Sequence, residues 1–378
     1  MYIAKNIDGV VFNLLKNPQI IKNIAYYCPS CLNEVRLRLG KIKQPHFAHL
    51  PNSDCSAFSE NESLEHLALK EIFYVWSEEI QLEVYLPKLK QRPDCLLGKK
   101  LCLEIQCSSL SVERLAERTK NYRSQGYQVI WLLGKKFELK NRLSSIQRGC
   151  LNYSKKCGFY LWTLDNEGQK LVLNYHILED VNGRIYFQQK IYPFLEGELQ
   201  EILKISGIFT SEYEIKMEKI LSKKHKENTQ NLQKRERKTM HLQRLLYSQG
   251  LHLLKLPKYY YFPNLRIPLA QENVLIWKRY LYEYLMTGAS WKECLDYFLS
   301  LSLPTIDSNT SKKEIVGDFL LTELSALMQL GCLRKSGEYY FIIPHETQKV
   351  IPYEYTWQKS PNFSSFLPRE LCYNRVKR

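Results

Sequence analysis

The spacing of apolar and polar positions along the chain changes period several times, and each change predicts an element. Tyr2-Ile3-Ala4 and Val10-Val11-Phe12, around a turn at Asn6-Ile7-Asp8-Gly9, predict a small opening hairpin, because Asp-Gly tolerates the positive φ of a tight turn. Leu64, Leu67, Ala68, Ile72 and Val75 recur at helical spacing behind the cap-rich start Ser59-Glu60-Asn61-Glu62, which predicts a helix from Glu62 to Trp76. Clean alternation over Ile80 to Leu86 predicts a strand. Arg92 to Leu97 and Leu101 to Cys107 read as two more strands joined by a Gly98-Lys99-Lys100 turn. On the last of these, Leu101, Leu103, Ile105 and Cys107 share one face while Glu104 and Gln106 share the other, which is expected to face outward. A helix capped by Ser111 follows to Ser124, with Val112, Leu115, Ala116 and Thr119 on its buried face and Arg114, Arg118 and Tyr122 in one stripe. Gly126 ends it, and Tyr127 to Leu133 is apolar enough for a strand buried on both faces.

Beyond this core, Lys135 to Gln147 suits another helix. Two hairpins follow, one pairing Tyr160–Thr163 with Leu171–Leu173 and one turning at Asn182-Gly183. From Ser211 to Tyr247 a thin apolar stripe under many Lys and Arg predicts a long basic helix or a pair of helices. The Pro-flanked aromatics of Leu256 to Pro263 suit a packed junction or a surface on which bases stack. Helical patterns at Glu272–Met286, Ser290–Ser300 and Lys312–Leu330, then a hairpin with Arg334, Lys335 and Ser336-Gly337 at its tip, resemble a winged-helix arrangement. The tail from Gln358 is expected to be irregular. The fold class is therefore α/β (α+β), divided into a module over 1–58, an αβββαβ core domain over 59–195, a basic helical arm over 196–262 and a helical, winged-helix-like unit over 263–378.

Composition narrows the partners. With 378 residues and 44% hydrophobic content the chain is too apolar to be disordered, and its net charge of +15 points to a polyanion such as nucleic acid. The first twenty residues lack the pattern of a secretory leader, and no apolar run is long enough to span a bilayer, so a cytoplasmic protein without a membrane partner is expected. Eleven scattered cysteines do not form a secreted disulfide framework; most are expected reduced apart from those that bind metal.

Two constellations carry chemistry. Cys28-Pro29-Ser30-Cys31 is a C-x2-C knuckle, followed after a loop by His46-Phe47-Ala48-His49 and then Cys55, the spacing of a tetrahedral structural zinc site. Cys28, Cys31, His49 and Cys55 are the expected ligands, with His46 as the substitute for His49; the module's small polar make-up means that metal would supply much of its folding energy. The second constellation is Asp94 and Glu104. A hairpin register places their carboxylates together, and two such groups repel unless a divalent cation or a proton lies between them.

The order helix, strand, strand, strand, helix, strand with Asp94 and Glu104-Ile105-Gln106 on its strands resembles the PD-(D/E)xK nuclease superfamily. The C-x2-C knuckle, the His46–His49 box, Glu62-Ser63-Leu64-Glu65-His66, Arg92-Pro93-Asp94, Glu104 to Ser109 and Arg118-Thr119-x-x-Tyr122 together resemble the competence protein CoiA family over roughly residues 1 to 190. That resemblance implies Mg²⁺ or Mn²⁺ held by Asp94 and Glu104, with Glu65 or Glu62 as a further acid and the Ile105 carbonyl completing the set. Gln106 stands where the superfamily has its catalytic lysine, and a neutral amide cannot stabilise a developing anion as a cation does. Lys120, Arg118 or Lys70 are the cations that could replace it.

The expected function is DNA processing in natural transformation: a metal-dependent endonuclease acting on single-stranded or branched DNA during recombination. The alternative is a DNA-binding mediator without chemistry that assists a RecA-type recombinase. Arg118, Tyr122 and Lys120 would contact phosphate near the site, and Lys223, Lys224, Lys234 and Arg235 along the basic arm.

Overall fold

The computed structural model describes residues 1–16, 24–39, 45–51, 55, 63–207, 209, 211–261, 265–303, 305–306, 310–343 and 354–359. The opening hairpin forms as β1 (Ile3–Lys5) and β2 (Val11–Asn13), and β3 (Tyr26–Tyr27), β4 (Glu34–Arg38) and β5 (His46–His49) join it in a sheet of order β2-β1-β3-β4-β5. Tyr26, Val35, Phe47, Cys28 and Cys55 are buried together in a small core of its own.

The central domain follows the expected order: α1 (Leu64–Trp76), β6 (Ile80–Leu82), β7 (Cys95–Leu97), β8 (Leu101–Gln106), α2 (Val112–Ser124) and β9 (Gln128–Leu133). After α3 (Ser145–Gly149) and β10 (Asn152–Ser154), the two expected hairpins form as β11 (Gly158–Asp165), β12 (Lys170–Asp180) and β13 (Ile185–Pro193), and they extend the same sheet. Its order is β13-β12-β11-β9-β8-β7-β6, with β8, β9 and β11 parallel. Thus β8 is an interior strand. One face buries Leu103, Ile105 and Leu132 with Leu67, Leu69 and Phe73 of α1; the other buries Cys102, Trp131 and Leu133 with Leu115 and Tyr122 of α2.

Several expectations change here. α1 is capped by Ser63, whose side chain accepts from the His66 N–H, and residues 59–62 lie outside the described set. Its buried face is Leu67, Leu69, Lys70 and Phe73, while Leu64 and Val75 are 48% and 64% exposed. The strand expected over Ile80–Leu86 stops at Leu82, because Glu83 adopts φ 52° and turns the chain. Lys135 to Gln147 is not a continuous helix: a short 3-10 turn at Lys135–Phe137 precedes α3, whose capping box at Ser144 and Gln147 starts a new helix.

Past α4 (Leu199–Leu203), the basic segment begins with a strand, β14 (Ser211–Lys216), before the helices α5 (Met217–Gln233) and α6 (Arg237–Tyr247). Glu236 caps α6 by accepting from the Lys238 and Thr239 N–H groups. Ile220, Leu242 and Leu246 form the thin apolar stripe that fixes both helices to the core. The Tyr259–Tyr261 cluster packs a junction, with Tyr260 buried and its ring 4.7 Å from that of Tyr282. After β15 (Leu265–Arg266), which pairs with β12, come α7 (Val274–Met286), β16 (Ala289–Ser290), α8 (Trp291–Ser300), α9 (Lys312–Gln329), β17 (Leu333–Ser336) and β18 (Tyr339–Ile342). β16, β18 and β17 form a sheet, so the order of elements here is helix, strand, helix, helix, hairpin. β19 (Glu354–Lys359) pairs with β14, so Gln358 lies in a strand and not in an irregular tail. Among the described residues no helix is long and apolar enough to cross a membrane.

Candidate functional site

β7 and β8 pair with Cys95 opposite Leu103, which sets Asp94, just before β7, beside Glu104. The Asp94 Oδ2 accepts the Ile105 N–H at 2.9 Å, so the acid is locked to the backbone of the strand that carries the second acid. α1 supplies its partners: His66 Nε2 lies 3.1 Å from Asp94 Oδ2, and Lys70 Nζ lies 3.8 Å from Oδ1. Burial would raise the carboxyl, but His66, Lys70 and the Ile105 N–H outweigh it and hold Asp94 at about 2.

Glu104 is 1% exposed, so the face expected to be solvated is closed by α2. In parallel register it lies next to Trp131 of β9, and Trp131 donates to Thr119 of α2 at 2.9 Å. One guanidinium nitrogen of Arg118 lies 2.7 and 2.8 Å from the two Glu104 oxygens, and the Tyr122 hydroxyl donates to Oε1 at 2.5 Å. Burial, with the Asp94 charge added, outweighs Arg118 and Tyr122 and pushes Glu104 up to about 7. The two carboxyls are thus shifted in opposite directions by their different partners.

Behind them sits a group that sequence reasoning missed. Glu83, turned inward by its positive φ, accepts from Lys70 Nζ at 2.6 Å and from the Tyr2 and Ile3 N–H groups at 3.1 Å. Arg92 lies 3.9 Å from Glu83 and donates to the Met1 sulfur at 3.5 Å. Strand alternation would have pointed Glu83 outward, and its backbone donors Tyr2 and Ile3 lie 81 and 80 residues upstream, so no local signal marks it.

The other expected residues fall in different places. Gln106, buried at the end of β8, donates from its amide to the Ser108 carbonyl at 2.9 Å. Glu65 Oε1 accepts the Lys135 N–H at 2.9 Å and lines a cleft of about 550 Å³ with Leu64, Ala68, Lys135 and Glu167. Gly134 makes that approach possible, since a Cβ there would come within 2.9 Å of Glu65 Oε1 and 2.8 Å of Cys107 Sγ. Glu62 lies outside the described residues, and Lys120 is exposed on α2. Lys223, Lys234 and Arg235 are exposed on and just after α5, with Lys224 half-buried and paired to Glu227 at 3.0 Å.

Cys28, Cys31, His49 and Cys55 converge, one ligand atom from each lying within 4.8 Å of the others. β5 decides between the two histidines: alternation puts His49 on the face of buried Phe47 and toward the knuckle, and His46 is not in the cluster. His49 Nε2 approaches Cys31 Sγ at 3.4 Å. Three thiols and one imidazole are the donor set of a structural zinc site, so the residues fit that ion.

A helix, three strands, a helix and a parallel strand, with paired acids on two adjacent strands, define a nuclease-like α/β domain behind a cysteine-rich module. The N-terminal domain of competence protein CoiA matches residues 15–58, and the nuclease-like domain of the same family matches residues 62–207. Together these span half of the chain, which belongs to the CoiA family. It is 34% identical over 133 residues to the competence protein CoiA of Bacillus subtilis (strain 168), covering 33% of this chain and 36% of that protein. The matched stretch is about a third of that relative's length. No solved structure matches.

Proposed function

We propose that the chain is a DNA-processing protein of natural competence whose nuclease-like domain cleaves phosphodiesters in single-stranded or branched DNA with a divalent metal. The observation that carries this reading is the Asp94–Glu104 pair, with Lys70 3.8 Å from Asp94 where Gln106 supplies no cation. The donor set fits Mg²⁺ or Mn²⁺ in kind: both groups are hard oxygen donors, and a cation beside Glu104 would offset the burial, and secondarily the Asp94 charge, that raises its carboxyl. Such an ion would lower the pKa of a bound water and neutralise phosphate charge. Lys70, fixed between Glu83 and Asp94, stabilises negative charge at the reacting phosphate, and Arg118 offers a guanidinium to a phosphate oxygen. The exposed bases Lys223, Lys234 and Arg235 would hold the strand away from the site.

The test is cleavage of labelled single-stranded, duplex and branched DNA with Mg²⁺ or Mn²⁺ by the full chain beside Asp94→Ala and Glu104→Ala. Cutting by wild type alone supports the enzyme. A second reading has its own support in Gln106: a nuclease fold that binds DNA without chemistry and assists a RecA-type recombinase in the cytoplasm. DNA binding with no cutting by any of the three proteins would favour it.

A further inference from the structure

The cation that Glu104 now faces is Arg118. Its nitrogen bridges both Glu104 oxygens at 2.7 and 2.8 Å, and Tyr122 takes a further position on Oε1, so a metal shared with Asp94 has no oxygen of Glu104 to itself. Lys70 differs from Arg118 in freedom. Lys70 is fully buried and shared between Glu83 and Asp94. The Arg118 side chain is 17% exposed, while that of Glu104 is 2% exposed, so Arg118 stands at the open rim of the pair. It lies over the Trp131 ring with its guanidinium carbon 5.6 Å from the centroid, a planar platform along which a guanidinium can shift while keeping its apolar contact. A phosphodiester is a natural acceptor for the group, because its oxygens match the guanidinium fork.

We propose that Arg118 is a resident counter-ion of Glu104 that is exchanged for a divalent metal when a DNA phosphate takes the guanidinium. The inference rests on the metal-dependent reading above. In the free protein Arg118 neutralises Glu104 and competes with the metal; with DNA bound, Glu104 is released to the ion. Metal and DNA therefore bind with positive coupling, and by linkage each raises the affinity for the other by the same factor. The device also keeps the site from loading metal before a strand is in place.

The experiment measures Mn²⁺ binding by the disappearance of the free-ion electron paramagnetic resonance signal, using the zinc-loaded full chain. A short single-stranded oligonucleotide with non-cleavable phosphorothioate linkages is present or absent, and the Mn²⁺ taken up by the oligonucleotide alone is subtracted. For wild type, the expected result is weak Mn²⁺ binding alone and binding at least about tenfold tighter with the oligonucleotide. For Arg118→Met, which keeps the apolar stem over Trp131, tight Mn²⁺ binding without oligonucleotide and loss of the coupling are expected. Glu104→Gln should abolish the site in both conditions. Equal Mn²⁺ affinity of wild type with and without oligonucleotide overturns the exchange while leaving the metal site standing. That comparison requires no variant to fold. Absence of Mn²⁺ binding in wild type and Arg118→Met under both conditions overturns the metal reading beneath it as well.

Discussion

Lys70 and Glu83 meet at 2.6 Å with both side chains wholly buried, one from the middle of α1 and the other from the turn that ends β6. The pair carries α1, the first strand of the chain and Asp94 at once, because Glu83 also accepts from Tyr2 and Ile3 while Lys70 reaches Asp94. Breaking a buried pair by removing one partner leaves an uncompensated charge, which costs about 3–5 kcal/mol. Lys70→Met and Glu83→Gln should each lower stability by that order in urea unfolding. The double variant should cost less than the sum, because it leaves neither charge alone. Additive losses would mean that the two residues act independently.

The Cys28, Cys31, His49 and Cys55 cluster of the N-terminal module gives a second expectation. Cys28→Ser and His49→Ala should each lose one equivalent of bound zinc in elemental analysis, and His46→Ala should retain it, since only His49 stands in the cluster. The module's core is small, so metal loss should also lower its melting transition. Unchanged metal content in Cys28→Ser would remove the zinc site.

Asp94 sets a pH dependence. Its carboxyl is held at about 2 against an ordinary value of 3.8, so the folded state binds its proton less tightly than the unfolded chain does. The charged form therefore adds stability above the ordinary value, and this is lost as pH falls through about 2. Asp94→Asn keeps an acceptor for the Ile105 N–H and removes the charge. Wild type should exceed it by on the order of 2 kcal/mol near neutrality, with the difference closing toward acid. A gap that stays constant from neutral to acid pH would show that the charge of Asp94 is not what stabilises the fold.

The exposed bases beyond the site make a prediction about salt. Lys234→Gln with Arg235→Gln should weaken binding to every DNA sequence alike and reduce the slope of log affinity against log salt by roughly 1.4 to 1.8 units. An unchanged slope would place the DNA elsewhere on the surface.

Much of this protein was legible in residue order because it depends on local periods. The αβββαβ order follows from runs of period 2 and 3.6, and the Cys28, Cys31, His49 and Cys55 set from knuckle spacing. Asp94 and Glu104 could be paired on paper because a short hairpin has few registers. Alternation on β5 separates His49 from His46 once the face of Phe47 is known.

Tertiary structure decided what periodicity leaves open, namely which polar faces are covered and by what. Period 2 placed Glu104 opposite the apolar face of β8, yet β8 is flanked by β7 and β9 and roofed by α2, so that polar face is buried and must be neutralised by Arg118 and Tyr122. Lys70 is buried because Glu83 and Asp94 arrive from other elements to meet its charge. Glu83 itself turns inward only through a positive φ and finds its donors on β1. The residue order by itself determined the sequence of core elements and the two acids. Long-range packing alone determined the counter-ions that hold those acids, because the cost of burying a charge is settled by whatever groups the fold brings beside it.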